Sequence, residues 1–284
     1  MKLPSGGVLD FSGPALVMAV VNCNDDSFYA PSRASGECAA RKALEAEENG
    51  AAAIDFGGES TRPGAAYISE EEETRRLIPV IEAFRRRSSL PVSVDTRKAA
   101  VARAALDSGA DIINDISALE DDETMASLCA ERGAAVVLMH KQGTPRTMQN
   151  SPRYSDPVPE VAAYLRGRVR QAEEAGIRPE KIILDPGIGF GKRTEDNLEL
   201  LGRLAEICGK DYPVLVGVSR KTLIGDITGR DAAGRLAGTL AANAAAVMNG
   251  ADIIRIHDVR EGADLVKVLY AVMRTTDRYQ QGSL

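Results

Sequence analysis

The stretch GADIIND, residues 109–115, contains the repeating unit that decides the fold. Its glycine stands where an amphipathic helical pattern ends, a short apolar run follows, and two polar residues close the run. The same opening phrase, a glycine followed by Ala-Ala or Ala-Asp, recurs at Gly50, Gly133 and Gly250. Each occurrence starts a new strand after a helix, so the chain repeats one helix-and-strand unit.

Eight apolar runs of this kind predict buried parallel strands, because strands covered on both faces are continuously apolar rather than alternating. The runs are 15–21, 51–56, 91–94, 110–113, 134–139, 181–184, 213–218 and 251–256. Stretches rich in Ala, Glu and Arg, such as 70–87 and 97–107, predict the helices between them. Five glycines suit the left-handed position that ends a helix: Gly50, Gly109, Gly133, Gly176 and Gly250.

Eight strand-and-helix units in 284 residues favour an α/β fold, a single (β/α)8 TIM barrel with its active site at the carboxyl ends of the strands. An open doubly wound sheet is the alternative, but it usually has a glycine-rich turn after its first strand, and none follows Val21. No Gly-, Pro- or Ser-rich linker divides the chain. We therefore expect one domain over 1–284, with an N-terminal extension over 1–14 and the barrel over about 15–280.

Composition excludes several classes of protein. The net charge of -6 argues against general nucleic-acid binding, which needs a cationic face. No apolar run approaches the ~20 residues that span a bilayer, and the N-terminus does not have the pattern of a signal peptide. The four cysteines are scattered and there are only two histidines, so neither a disulfide framework nor a zinc site is expected. A reducing cytoplasm fits best.

Every predicted strand ends on a polar or charged residue. These residues are Asn22, Asp55, Asp95, Asn114 with Asp115, His140, Asp185, the run Ser219-Arg220-Lys221, and Arg255 with His257. Any one of the Asp or Asn residues could simply cap a helix or form a turn. Capping does not explain why Lys221, Arg255 and His257 cluster after the last two strands.

The ring of polar residues predicts two kinds of ligand group. Barrels frequently hold phosphate at the loops after strands seven and eight, so the cluster of Lys221, Arg255 and His257 indicates an anion site. On the opposite arc, Asp95, Asn114 and Asp185 suit a flat heterocycle with an amino-pyrimidine edge. An anionic group and a polar aromatic ring are therefore a plausible substrate pair.

Three loops add to this prediction. VVNCNDDSFYAPSR, residues 20–33, follows the first strand and could be a solvated turn, a cysteine-assisted metal site or the mouth of an active site. GGESTRPG, residues 57–64, combines paired glycines, hydroxyls, a cation and a proline-fixed turn, as expected of a substrate loop. DPGIGFGK, residues 185–192, has neither phosphate-binding fingerprint and instead allows backbone to approach a bound ring.

Seven motifs, in this order and spacing, resemble the dihydropteroate synthase family. They are DFGGESTRPG (55–64), SVDT (93–96), INDIS (113–117), MHKQGTP (139–145), DPGIGFGK (185–192), GVSRKTLIG (217–225) and RIHDV (255–259). The resemblance covers the chain from about Met18 to the last helix. It implies a Mg²⁺-dependent transferase of folate biosynthesis that joins p-aminobenzoate to (7,8-dihydropterin-6-yl)methyl diphosphate and releases diphosphate. It also implies a cytoplasmic homodimer and a sulfonamide target.

The same resemblance implies a role for each site residue. The pterin would be bound by Asp95, Asn114, Asp185, Lys221 and Arg255, of which Asp95, Lys221 and Arg255 are also the predicted catalytic residues. Diphosphate would be bound by Asn22, Arg62, Arg255 and His257, with Asn22 also the metal ligand. The p-aminobenzoate would be bound by Phe28, Thr61, Pro63, Phe190, Arg220 and Thr222.

These residue types suit a dissociative substitution. Diphosphate is a good leaving group once cations and Mg²⁺ neutralise its developing charge. The electron-rich dihydropterin can stabilise the positive charge left on the departing methylene, and Asp95 could stabilise that cation electrostatically. A neutral aniline amine is already nucleophilic, so no strong base is required. In the first loop Asn22 would then hold metal and diphosphate, while Cys23 is a poor ligand for Mg²⁺.

The chain departs from the family pattern at a few positions. Asn24 and Asp25 replace Thr and Pro in the first loop, and Ala19 replaces a strand glycine. Lys141 replaces the Met that follows His140; its stem could pack like Met while its ammonium leaves the pocket, or it could point elsewhere. Two alternatives to the synthase remain: a methyltetrahydrofolate–corrinoid methyltransferase, which needs no diphosphate site, and a non-catalytic pterin-binding paralogue.

Overall fold

The structure, a computed structural model, describes residues 1–23, 33–60, 67–143, 148, 152–209 and 211–281. In this part of the chain eight strands form one parallel sheet in the order β6-β5-β4-β3-β2-β1-β8-β7. The strands are β1 Leu16–Asn22, β2 Ala53–Gly57, β3 Val92–Asp95, β4 Ile112–Asp115, β5 Ala135–Met139, β6 Ile182–Asp185, β7 Leu215–Val216 and β8 Ile253–Ile256.

The two ends of this sheet meet, which closes the barrel. A parallel bridge joins Leu184 of β6 to Val214, just before β7, and the Leu184 N–H donates to the carbonyl of Pro213 at 2.9 Å. Each strand therefore has a neighbour on both sides, as a (β/α)8 barrel requires. The predicted fold class is confirmed, and the open doubly wound sheet is excluded.

Helices alternate with the strands around the outside. In the described part of the chain they are α1 Arg33–Glu48, α2 Glu70–Arg85, α3 Ala99–Asp107, α4 Met125–Arg132, α5 Pro157–Glu174, α6 Thr194–Gly202, α7 Leu204–Cys208, α8 Thr222–Thr228, α9 Leu236–Met248 and α10 Val259–Gln281. No helix among the described residues is long and apolar enough to cross a membrane.

Local sequence explains where these helices begin and end. The five glycines predicted to end helices all have positive φ, between 62° at Gly133 and 105° at Gly250. An L side chain is strained in this left-handed region, which is why glycine occupies it. At the other end of a helix, Ser69 caps α2 by accepting a hydrogen bond from the Glu72 N–H at 3.2 Å.

The observed strands begin one or two residues later than predicted, and several end one or two residues later. Asp95, Asp115 and Asp185 are thus the last residues of their strands and take part in the ladder. Periodicity alone places a strand boundary at the change from apolar to polar residues, whereas a barrel strand continues into the polar mouth. The strand predicted at 213–218 is shortened to two residues, Leu215–Val216.

The barrel interior is apolar at its amino-terminal end and polar at its carboxyl end. Its apolar layer is made by Met18, Ala53, Ile112, Ala135, Val137, Ile183, Leu215 and Ile253. Leu3 and Leu9 pack against this layer from the N-terminal segment, which folds back on itself through a bridge between Lys2 and Val8. The closed lower end leaves the carboxyl ends of the strands as the open face of the barrel.

The cysteines that the structure describes are unpaired. Cys23 and Cys129 are buried, and Cys38 is half-buried. Burial raises the pKa of both Cys23 and Cys129 to about 12, so neither thiol is ionised near neutral pH. These cysteines pack as small apolar side chains.

Candidate active site

Five of the predicted residues meet at the carboxyl ends of the strands. Asp95 ends β3 and pairs with Asn114 of β4 across the ladder, while Asp185 ends β6. Arg255 lies in β8, and Lys221 immediately precedes α8. Side chains from five different parts of the sequence thus converge on the open face, as predicted from the strand ends.

Arg255 is the central cation of this group. Its Nη2 lies 3.0 Å from Asp95 Oδ2 and 2.6 Å from Asp55 Oδ2, and its Nε donates to Asp55 Oδ2 at 2.7 Å. Burial on its own would lower the pKa of Arg255, but the carboxylates of Asp55 and Asp95 outweigh it and raise that pKa. The guanidinium is therefore a fixed positive charge.

The two predicted pterin carboxylates are strongly desolvated. Burial raises the pKa of Asp95 to about 7, against the opposing effect of Arg255. Burial also raises the pKa of Asp185, although Lys221 and a hydrogen bond of 2.7 Å from the Gly187 N–H oppose it. In both carboxyl groups the cost of burial outweighs the effect of the neighbouring cations. Such groups are suited to accept hydrogen bonds from a ligand.

Lys221 follows β7, and its side chain contacts the glycine loop that follows β6. Its Nζ donates to the carbonyl of Ile188 and lies 4.6 Å from the centroid of the Phe190 ring. Burial lowers the pKa of Lys221 to about 8. A β-carbon at Gly189 would approach the Lys221 Cδ to 3.1 Å, so that glycine provides the space in which the side chain lies.

Lys192 organises the glycine loop that follows β6, and sequence reasoning assigned it no role. Its buried Nζ lies 2.9 Å from His140 Nδ1 and donates to the carbonyls of Gly187 at 2.9 Å and Phe190 at 3.1 Å. Burial lowers the pKa of Lys192 to about 7, and burial together with Lys192 lowers the pKa of His140 to about 3. The neutral imidazole can therefore accept a hydrogen bond from the lysine.

Asn22 and His257 border the site on the side predicted to bind diphosphate. Asn22 is the exposed last residue of β1, and its Oδ1 lies 3.9 Å from where a β-carbon of Gly57 would be. His257 is also exposed, and its Nδ1 lies 2.9 Å from Ser219 Oγ, which also accepts from the His257 N–H at 3.2 Å. Ser219 thus holds the imidazole, a contact that the sequence does not reveal.

The residues predicted to bind p-aminobenzoate are only partly described. Phe190 is half-buried in the glycine loop, and Thr222 is exposed at the start of α8. Arg220 has left-handed backbone, φ 55°, and pairs with both carboxylate oxygens of Asp258 at 2.9 and 2.6 Å. Its guanidinium is therefore oriented by Asp258, and its role in binding aminobenzoate stays a prediction.

Several predicted residues lie outside the described part of the chain. They are Phe28, Thr61, Arg62 and Pro63, together with the two first-loop departures Asn24 and Asp25. Their assignments to aminobenzoate or diphosphate stay predictions.

Lys141 belongs to a chain of ion pairs at the rim of the barrel. Its Nζ lies 3.3 Å from Asp121, which is also 2.9 Å from Arg97. The Arg97 guanidinium in turn lies 3.1 Å from the carboxylate of Glu59, two residues after the end of β2. The structure therefore shows the Lys141 ammonium paired with Asp121.

Asp55 was recognised in the sequence only as a strand-end residue, without a role. It is completely buried, and its Oδ2 accepts from Asn114 Nδ2 at 3.2 Å in addition to Arg255. The only sequence signal for this role is its position at the start of the motif DFGGESTRPG, two residues before Gly57. Its partners lie 59 and 200 residues away, so no local pattern identifies them.

Comparisons with known proteins identify the family to which the chain is similar. A family model described as "Pterin binding enzyme" matches residues 18–257. The Escherichia coli K12 protein named dihydropteroate synthase is 44% identical over 284 residues, which covers 99% of this chain and 100% of that protein.

Solved structures show the same fold with ligands. The Xanthomonas albilineans dihydropteroate synthase with 4-aminobenzoic acid superposes with a TM-score of 0.88 at 43% identity, covering 95% of this chain and 96% of that one. The same organism's enzyme in complex with 7,8-dihydropteroate gives a TM-score of 0.86 at 40% identity, covering 96% and 99%.

Proposed function

Because the chain belongs to the dihydropteroate synthase family of pterin-binding enzymes, we propose that its strand-end site performs the reaction of that family. It joins p-aminobenzoate to (7,8-dihydropterin-6-yl)methyl diphosphate, forming 7,8-dihydropteroate and releasing diphosphate. One observation carries this function: the residues predicted to bind the pterin lie together at the strand ends. The buried polar residues of this group are Asp95, Asn114 and Asp185, and its cations are Lys221 and Arg255.

The polar arc recognises the pterin by its hydrogen-bonding edge. Asp95 and Asp185 accept from amino and ring N–H groups, and Asn114 can both accept and donate. Lys221, which already donates to the Ile188 carbonyl, has further hydrogens for a ring carbonyl or ring nitrogen. The backbone of the glycine loop, held by Lys192, allows the flat ring to approach closely.

The cationic side of the site stabilises the leaving diphosphate. Arg255 carries a permanent charge, and His257 is held by Ser219 at the same edge. Arg62, outside the described residues, would add a second guanidinium. As the bond between the methylene carbon and the diphosphate oxygen breaks, both bonding electrons leave with the oxygen, and these cations lower the energy of the charge that develops there.

Asp95 stabilises the pterin methylene, which becomes positively charged as the diphosphate leaves. Its carboxylate lies beside the pterin pocket, where positive charge spreads from the methylene into the ring. The amine of p-aminobenzoate then attacks the methylene carbon with its lone pair and afterwards loses a proton. In this dissociative route the residues supply positioning and electrostatic stabilisation, and no strong base is required.

Asn22 fits a Mg²⁺ site that the substrate completes. Mg²⁺ is commonly bound through one or two protein oxygens, several waters and the phosphates of a ligand. The exposed Asn22 carboxamide at the barrel mouth supplies one such oxygen. The ion would neutralise diphosphate charge.

The p-aminobenzoate site lies on the side of Phe190, Arg220 and Thr222. Phe190 offers an aromatic wall, and Arg220 and Thr222 offer donors to a carboxylate. Phe28, Thr61 and Pro63 would complete the pocket from outside the described residues. Sulfonamides, which resemble p-aminobenzoate in shape, would compete at this site.

Assembly and location are finer points of the same proposal. We expect a homodimer, because three largely exposed apolar side chains lie on neighbouring helices: Leu198 on α6, Ile227 on α8 and Met248 on α9. Exposed apolar surface of this kind marks interaction sites. We also expect the enzyme to work in the cytoplasm, where cysteines such as Cys38 and Cys129 stay reduced.

A steady-state assay separates this function from the alternatives. Purified protein with Mg²⁺ should release diphosphate only when pterin diphosphate and p-aminobenzoate are both present. Binding of the pterin without release would favour the non-catalytic paralogue. Methyl transfer from methyltetrahydrofolate to a corrinoid would favour the methyltransferase.

A further inference from the structure

Asp55 is a buried carboxylate that the reaction described above does not use. It is the third residue of β2, with a side chain that has no solvent exposure. Ala53, two residues earlier, packs in the barrel interior, and alternation along the strand directs Asp55 to the same side. Burying a carboxylate is costly unless it is paired, so its partners indicate what it does.

One oxygen of Asp55 accepts hydrogen bonds from residues of two other strands. Oδ2 accepts from Arg255 Nε at 2.7 Å and Nη2 at 2.6 Å, and from Asn114 Nδ2 at 3.2 Å. The second oxygen, Oδ1, has no hydrogen-bond partner among the described residues. Asp55 therefore contacts two residues that are predicted to bind the pterin, from beneath the site.

The contact with Asn114 decides which way its amide faces. A carboxamide has similar shape in both orientations, but a flipped amide would place Asn114 Oδ1 against the carboxylate of Asp55. With Nδ2 donating to Asp55, Asn114 keeps Oδ1 and one amide hydrogen for a ligand. An acceptor beside a donor matches a heterocycle edge with an amino group next to an unprotonated ring nitrogen.

The contact with Arg255 decides where its guanidinium points. Nε and Nη2 are occupied by Asp55 and Asp95, while Nη1 has no hydrogen bond within the described part of the chain. A planar guanidinium held along one edge presents its remaining nitrogen in a defined direction. Asp55 makes the closer contact of the two carboxylates, which leaves Asp95 more available to the ligand.

We propose that Asp55 is a positioning residue that fixes the donor–acceptor sense of Asn114 and the direction of Arg255 before the pterin diphosphate binds. This inference rests on the proposed function. It assigns the recognition of the amino-pyrimidine edge to a pair, Asp55 with Asn114, rather than to Asn114 alone.

The first test compares two matched substitutions, Asp55→Asn and Asp115→Asn. Asp115 is equally buried, but among the described residues its carboxylate accepts only from Ser117 and Leu119 in its own loop. Asp55→Asn should raise the KM for pterin diphosphate by about 10- to 100-fold, the effect of losing a charged hydrogen bond, and change the KM for p-aminobenzoate by less than about 2-fold. Asp115→Asn should lower the melting temperature with both KM values retained. Unchanged KM values in folded Asp55→Asn would overturn the proposal.

An exchange of the two side chains tests the coupling itself. In the double variant Asp55→Asn with Asn114→Asp, a donor at position 55 again faces an acceptor at position 114. The double variant should bind pterin diphosphate more tightly than Asn114→Asp alone, by about 5-fold or more, whereas independent roles predict additive losses. Additive losses would contradict the proposal. If Asp55→Asn does not fold, the comparison of the double variant with Asn114→Asp still tests it.

Binding by titration calorimetry keeps this inference separate from the proposed function. If the wild-type protein binds pterin diphosphate but forms no dihydropteroate, the proposed function is wrong. The affinity differences between the wild-type protein, Asp55→Asn and the double variant still support or overturn the role of Asp55.

Discussion

Gly187 lies against the carbonyl group of His140 so closely that a β-carbon at Gly187 would overlap with the carbonyl oxygen. Gly187 also has positive φ, 68°, and its carbonyl accepts a hydrogen bond from Lys192. The loop after β6 is thereby joined to the end of β5. Since Asp185 begins this loop and Phe190 lies within it, the contact fixes one wall of the active site.

Gly187→Ala should therefore destabilise the protein and disrupt pterin binding. We expect a loss of about 3 kcal/mol or more in the free energy of unfolding, because the backbone is strained and the methyl group has no space. Gly133→Ala is the matched control: it also has positive φ, 62°, but nothing lies within 4 Å of its β-carbon position. The control should lose only about 1 kcal/mol. Denaturant unfolding measures both, and equal losses would contradict the close contact.

Lys141→Met should restore the family pattern with little effect on catalysis. The Lys141 ammonium is already paired with Asp121, so kcat/KM should stay within about 2-fold of wild type and stability within about 1 kcal/mol. Asp121→Asn should cost more stability, because it also removes one of the two carboxylate partners of Arg97. A large rise in the pterin KM of Lys141→Met would show that the ammonium contacts the substrate.

The raised pKa of Asp95 predicts how stability depends on pH. Between its ordinary pKa near 4 and its folded-state pKa of about 7, Asp95 is protonated in the folded protein and ionised in the unfolded chain. The folded state binds more protons in this window, so this carboxyl lowers the free energy of unfolding as pH rises through it. Thermal unfolding from pH 4 to 8 should show a shallower fall for Asp95→Asn than for wild type. Parallel profiles would contradict the raised pKa.

Asn22 and Cys23 are adjacent in the sequence, but we expect opposite effects on turnover when each is substituted. Asn22→Ala should raise the Mg²⁺ concentration needed for half-maximal diphosphate release by about 10-fold or more, since it removes the proposed protein ligand. Cys23→Ser should leave turnover nearly unchanged, because the thiol is buried and protonated. Mg²⁺ titrations of both variants measure this, and an inactive Cys23→Ser with an unaffected Asn22→Ala would refute the assignment.

The parts of the fold that depend on local periodicity could be predicted from the sequence. The eight strands follow from apolar runs, and the helix ends follow from glycines such as Gly109 and Gly250, which local backbone geometry requires. The packing of Leu3 and Leu9 under the barrel could not be predicted, because it depends on contacts with strands far along the chain.

The candidate site was predictable where strand ends carry polar residues, and not where a residue acts through a distant partner. Asp95, Asn114, Asp185 and Arg255 were identified because strand ends converge in a barrel. The sequence does not reveal the roles of Asp55, Lys192 and Ser219, because each depends on a side-chain contact with a residue that follows or lies in another strand. A sequence pattern reports position along an element and says nothing of such contacts.

The most direct test of the central claim is the yield of 7,8-dihydropteroate and diphosphate from one reaction, measured by mass spectrometry for wild type and Lys221→Ala. The wild-type protein should form the two products in equal amounts and only with both substrates. Lys221→Ala should form both at a rate lower by about 100-fold or more, because a buried ammonium beside the pterin is lost. Diphosphate release without dihydropteroate, or an unchanged rate in Lys221→Ala, would contradict it.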